Sequence, residues 1–224
     1  AVERFEDNGK QVIRVQRDNV AAIPAESATP PWYKVYPAFH LSEFQSWAEV
    51  DQWAQRLFTI EPATGEVARR IADWKAKQLP PDELLAEVTR FVQDDIRYFS
   101  VSLGESSHRP KPAAQTLADR MGDCKDKVLL LNTLLKGLGF DAKPALVSTY
   151  RNKGLVNYLP SHDQFDHVIS AVQLDGQRYF LDATANNQGH TLQNRGYYSY
   201  GQALVVGEGA QGLQAVVRPS FATD

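Results

Sequence analysis

The chain holds a single cysteine in 224 residues. That excludes an internal disulfide and any metal site built from several thiolates. Long apolar runs are missing as well, and none approaches the roughly 18 residues that a bilayer-spanning helix needs. The N-terminus, Ala1-Val2-Glu3-Arg4, is polar from its start and carries no signal-peptide pattern, as a mature or excised piece would also show. Positive charge is nowhere concentrated. With 24 Lys and Arg against 27 Asp and Glu the net charge is −3, and no basic stripe points to a nucleic-acid partner. Repeats and low-complexity segments are absent. What is present, 43% hydrophobic and 23% charged residues, is ordinary for a soluble globular chain able to enclose a sizeable core.

Residues 1–18 read as a hairpin around Asn8-Gly9, with Val12, Ile13 and Val15 as strand formers. Pro24, Pro30, Pro31 and Pro37 then preclude a regular helix and imply an extended connector. A lone hairpin cannot bury its own face, so the segment 1–40 is expected to be the end of an upstream β-domain or a strand pair docked on the body. Residues 41–224 are expected to form one domain. Three helices open it over 41–95. Ser46-Trp47-Ala48-Glu49 is a capping box, followed by Val50, Trp53, Ala54 and Leu57 at helical spacing. Val67, Ile71 and Trp74 mark the second helix. Pro80-Pro81-Asp82-Glu83 starts the third, with Leu84, Leu85, Val88, Phe91 and Val92 as its apolar face. Tryptophans at this spacing read as core rather than as a ligand platform.

A catalytic core is expected over 96–206. A strand at 96–101 leads into a polar loop from Ser102 to Pro112 and a short helix from Ala113 to Arg120. The central helix should run from about Cys124 to Lys136 and end at Gly137 and Gly139. Strands are expected at 142–149, 165–174, 177–182, 203–206 and 213–217, the last belonging to a C-terminal part over 203–224. Helices first and an antiparallel sheet after them give an α+β class.

The lone cysteine sits in Gly122-Asp123-Cys124-Lys125-Asp126-Lys127, just before Val128-Leu129-Leu130-Leu131. This places Cys124 in the first turn of a helix, where unpaired N–H groups and the helix dipole favour a thiolate. A lone cysteine more often simply fills space in a core. Here its charged neighbours imply a turn that reaches solvent, so the position reads as a reactive thiol.

A nucleophilic thiol needs a base, and the base needs an acceptor that fixes its tautomer. Among five histidines, His167 lies in a run of strand composition, Phe165-Asp166-His167-Val168-Ile169. If Asp175-Gly176 is a two-residue turn, Leu174 faces Gln177, His167 lies opposite Thr184 and Asp182 opposite Ile169. Asp182 is then one diagonal step from His167 on the same face of the sheet. One extra turn residue would separate them. Taken singly, His167 reads as a core or edge histidine and Asp182 as a strand-end residue, and only the pairing gives them a role.

Three stretches together, Gly122 to Lys127, Phe165 to Ile169 and Phe180-Leu181-Asp182-Ala183-Thr184, resemble the transglutaminase-like cysteine-enzyme superfamily. The match is closest to bacterial members in which a β-sandwich domain of unknown function precedes the core. The resemblance implies a papain-like core in which a helix bearing the cysteine packs on an antiparallel sheet bearing histidine and aspartate. It implies Cys124 as nucleophile, His167 as general base and acid, and Asp182 as orienting carboxylate. It also implies thioester chemistry on amide or peptide bonds, resolved by water (protease or amidase) or by an amine (transglutaminase). The Cys124 N–H is the natural oxyanion donor, with Tyr98 and Gln115 available as the second. No cofactor is implied, since the D-x-[DN]-x-[DN]-G calcium pattern is absent. Export to the bacterial periplasm or envelope is an expectation from resemblance alone.

Two other classes compete. His162, Asp163, Asp166 and His167 are of metal-ligand type, but in a strand 163 and 167 share one face and 162 and 166 the other. The chain is alternatively a non-catalytic envelope or interaction module that retains the fold. The segment Asn194 to Gly201, rich in Gly and Tyr, reads as a structured loop that is available to line a groove.

Overall fold

The structure is a computed structural model that describes residues 2–24, 26–100, 107–189, 191–193, 195–196 and 198–218. The hairpin forms as expected: β1 (Val2–Asp7) pairs with β2 (Lys10–Val15), Asp7 opposite Lys10. Asn8 and Gly9 both take positive φ, as a type I′ turn requires. Only Phe5 and Val12, which face each other, are half-buried. The connector after it has no regular structure, yet it touches the body. Lys34 donates to the Asn157 carbonyl at 3.1 Å, and His40 stacks on Tyr158.

Helix α1 (Trp47–Leu57) is capped by Ser46, whose side chain accepts from the Glu49 N–H. Glu49 reaches back to the N–H of Gln45 at 2.7 Å, one residue earlier than the capping box implies. Helices α2 (Gly65–Ala76) and α3 (Pro81–Asp95) follow. Val67, Ile71 and Trp74 are buried, as are Leu85, Val88 and Val92, while Leu84 and Phe91 are half-buried beside them. The strand expected at 96–101 shrinks to β3 (Arg97–Tyr98), with 101 outside the described residues. It pairs in parallel with β4 (Met121–Gly122), which follows α4 (Ala113–Asp119). This two-residue ladder lashes the chain beside Gly122.

Helix α5 (Cys124–Gly137) lies at the centre, every residue from Lys125 to Leu135 buried. It packs on one face of a five-stranded antiparallel sheet of β5 (Asp141–Val147), β6 (His167–Leu174), β7 (Gln177–Leu181), β8 (Gln202–Val205) and β9 (Gln214–Ala215). The spatial order is β7-β6-β5-β8-β9. Strand alternation sorts the side chains: Val168 and Val172 join the core under α5, and Ile169 and Ala171 join a smaller cluster on the other face. The α+β fold class stands. Leu174 faces Gln177 across Asp175-Gly176, and the register carries through to Ser170 opposite Leu181.

Candidate active site

Cys124, His167 and Asp182 all sit at the ends of elements. Cys124 is the first residue of α5, His167 the first of β6, and Asp182 follows the last residue of β7. Antiparallel pairing brings the start of β6 beside the end of β7, so His167 Nε2 meets Asp182 Oδ2 at 2.9 Å. The two side chains are only 12% and 8% exposed. His167 and Cys124 line the same cleft. Burial opposes a charged imidazole, but hydrogen bonds to Asp182 and Cys124 override it and push the His167 pKa up to about 10. Burial likewise works against the Asp182 carboxylate. The His167 contact and charge, with Tyr200 and Thr184, hold it at about 2.

The Asp182 carboxylate is saturated with donors. The Tyr200 hydroxyl donates to Oδ2 at 2.6 Å, and Oδ1 accepts from the Thr184 N–H at 2.8 Å and hydroxyl at 2.7 Å. Its backbone carbonyl takes the Gln93 side chain at 2.7 Å, and Arg195, itself buried, holds Gln93 at 2.6 Å. Of these, Thr184 was legible, because an aspartate side chain bonding two residues onward is an ordinary turn device. Tyr200 carried no local signal; it belongs to the stretch read as a loop.

The turn that holds Cys124 corrects one expectation. Asp123, Lys125, Asp126 and Lys127 are all buried, and only Cys124 among them is partly exposed. Their charges are spent inside. Asp123 accepts from the N–H groups of Lys125 and Asp126 and pairs with the Lys125 ammonium. Asp126 accepts from the N–H of Asp123 at 3.2 Å and of Lys111 at 2.8 Å, completing a capping box. Lys127 donates to the carbonyls of Gln93 and Ile96, closing the end of α3. Gly122 is small of necessity: a Cβ there would lie 2.6 Å from that of Asp126. The Cys124 N–H belongs to the first turn of α5, where N–H groups have no acceptor within the helix.

Tyr98, brought alongside by the β3–β4 ladder, has its phenol pKa raised by burial and by the nearby charge of Cys124. Gln115 is exposed on α4, whose buried residues are Thr116 and Leu117. The four residues of metal-ligand type, weighed above as a competing site, diverge: the strand begins only at His167 and His162–Gln164 is a short 3-10 turn. His162 faces Asp163, Asp166 turns to Thr149, and His167 to Asp182.

A cleft of about 130 Å³ opens beside the thiol, bounded by Trp53, Phe58, Leu146, Phe165 and Val168. Trp53 was read as core, and it is partly buried against the core while also walling this cleft.

The model of the transglutaminase-like superfamily matches residues 51–183, more than half of the chain. The chain belongs to that superfamily. The transglutaminase-like match runs from within α1 through Ala183 and so includes all three candidate residues. No curated protein matches significantly. Among solved structures, a putative protease from Parabacteroides distasonis matches with a TM-score of 0.69 at 15% identity. The alignment covers 92% of this chain but 38% of that one. A putative cysteine protease from Cytophaga hutchinsonii matches with a TM-score of 0.39 and 15% identity, over 66% of this chain and 44% of its own. The first likeness shows a shared fold.

Proposed function

We propose that the chain carries out thiol-dependent acyl chemistry on amide or peptide bonds, with hydrolysis as its outcome. The observation that carries this reading is the position of His167, which lines one cleft with Cys124 and through Nε2 meets a carboxylate 2.9 Å away. In the proposed cycle Cys124 Sγ attacks the carbonyl carbon as thiolate. The N–H of Cys124 and the Tyr98 hydroxyl donate to the oxyanion. His167 gives its proton to the departing amine, the C–N bond breaks, and a thioester remains. Water then gives a proton to His167 and attacks the thioester, the C–S bond breaks, and a carboxylic acid leaves with the Cys124 thiolate and charged His167 restored. Asp182 holds the ring throughout and stabilises its charged form.

An amine in place of water would give a new amide through the same steps. The test is the alkylation rate of Cys124 with iodoacetamide against pH, in wild type and in His167→Ala. A rate already high near about pH 6 that collapses in the variant supports a histidine-activated thiolate. A profile that rises only around pH ~8.5 and ignores the mutation would leave a non-catalytic module as the better reading.

A further inference from the structure

The cleft beside the thiol has a size, a lining and a charge state that together define an occupant, given the thiol chemistry proposed above. We propose that it is a side-chain pocket selecting amide or peptide substrates that carry one uncharged, phenyl-sized ring beside the bond attacked by Cys124. Its volume, about 130 Å³, is close to that of an apolar cavity of roughly 150 Å³ known to take benzene.

The apolar part of the lining comes from three separate elements. Trp53 lies on α1 and Phe58 caps it, Leu146 comes from β5, and Phe165 and Val168 flank the start of β6. Trp47 braces Phe165 edge-on with ring centroids 5.7 Å apart. Trp53 and His162 stack at 4.9 Å, and His108 meets both edge-on at 5.3 Å. Trp53, His162 and His108 thus pack on one another as one part of the lining, and Phe165 supplies another.

The charges at the cleft are already committed. Lys125 pairs with Asp123, His167 is engaged by Asp182, and the Asp166 carboxylate accepts from the N–H and hydroxyl of Thr149. Burial, and then the charge of His162, lower the pKa of His108 and favour its neutral ring. A carboxylate or ammonium entering the cleft would lose water and gain no partner, which costs several kcal/mol. A flat apolar ring would lose nothing and bury its surface.

A matched set of N-acetyl-X acyloxymethyl ketones, with X as Phe, Trp, Glu or Lys, tests this. Each alkylates a thiol, and the rate at Cys124 is followed by intact mass and divided by the iodoacetamide rate of the same protein. The Phe probe should react at least about tenfold faster than the Glu and Lys probes and faster than the larger Trp probe. Phe165→Ala should bring the Phe-to-Glu ratio toward one, and the milder His162→Gln should lower it if Phe165→Ala does not fold. Equal rates across the set, or faster Glu or Lys probes, would overturn the pocket while leaving the thiol chemistry standing. An iodoacetamide rate indifferent to His167→Ala would instead remove the chemistry on which the pocket rests.

Discussion

The Tyr200 hydroxyl donates a 2.6 Å hydrogen bond to Asp182 Oδ2, the oxygen that also meets His167. The two rings lie 5.6 Å apart, so the carboxylate is gripped from both sides. This tyrosine reaches Asp182 from the loop before β8, a separate strand from those bearing His167 and Asp182. Its hydrogen bond reaches the carboxylate and not the histidine, so the role expected of it is to position Asp182.

Tyr200→Phe keeps the ring and removes the donor. The expected cost is about 1–3 kcal/mol in urea unfolding, as for a hydrogen bond to a charged group. The folded pKa of Asp182, about 2, lies below its unfolded value, so its stabilisation is present above about pH 3.9 and is lost as pH falls through the folded value. Losing one donor raises the folded pKa, and acid unfolding should move to higher pH. An unchanged acid midpoint by circular dichroism would show that Tyr200 contributes nothing to the charge.

Asp182→Asn removes the strongest support for the His167 charge. Because the folded pKa is raised to about 10, the stabilisation it brings is full below about pH 6.5 and disappears as pH rises through the folded value. In the variant the titration of the His167 ring, followed by proton NMR, should fall toward its ordinary range. Iodoacetamide alkylation at neutral pH should slow by about tenfold or more. A His167 titration that stayed near its wild-type position would mean that Cys124 alone sustains it.

Lys127→Met tests the buried ammonium that closes α3. It leaves the carbonyls of Gln93 and Ile96 without their donor, at an expected cost of about 3 kcal/mol near neutral pH. Burial lowers the Lys127 pKa to about 8, against the pull of Asp182 and Asp94. The unfolded chain therefore holds more protons between about pH 8 and pH 10.4, and wild-type stability gains relative to the variant as pH rises through that window. A wild-type-minus-variant difference that stays flat across it would contradict the depressed value.

Gly201→Ala is a backbone test of the same site. Gly201 has φ +71, and a Cβ there would lie 2.5 Å from the backbone of Asn152 and Lys153. Both the strain and the contact push on the residue next to Tyr200, so a loss of about 2–4 kcal/mol is expected. Chemical denaturation measures the loss, and alkylation kinetics should show weakened coupling of His167 to the thiol. Wild-type stability would mean that the loop before β8 yields freely.

The helices and strands were legible because their signals are local. Pro80-Pro81 starts α3 with a residue that has no N–H to lose, and Asp175-Gly176 closes a hairpin whose register follows by counting. That count puts Asp182 beside His167, although the ladder itself stops at Leu181. The strand at 96–101 was overread, because Ile96 to Ser100 has strand composition but only Met121 and Gly122 beside it to pair with. The charged turn at 123–127 was misread as solvent-facing for a similar reason: a charged residue type says nothing about whether capping groups and carbonyls await it inside.

By itself the sequence determined the elements, the hairpin register and the three residues of the candidate triad, since each depends on spacing along the chain or on the rarity of a residue type. Only the tertiary structure decided what surrounds them. Tyr200 on Asp182, Arg195 behind Gln93, and the wall of Trp53, His108 and His162 join positions tens of residues apart. No propensity or periodicity encodes such meetings. They follow from how α5 seats against the sheet and where the loops are then obliged to pass.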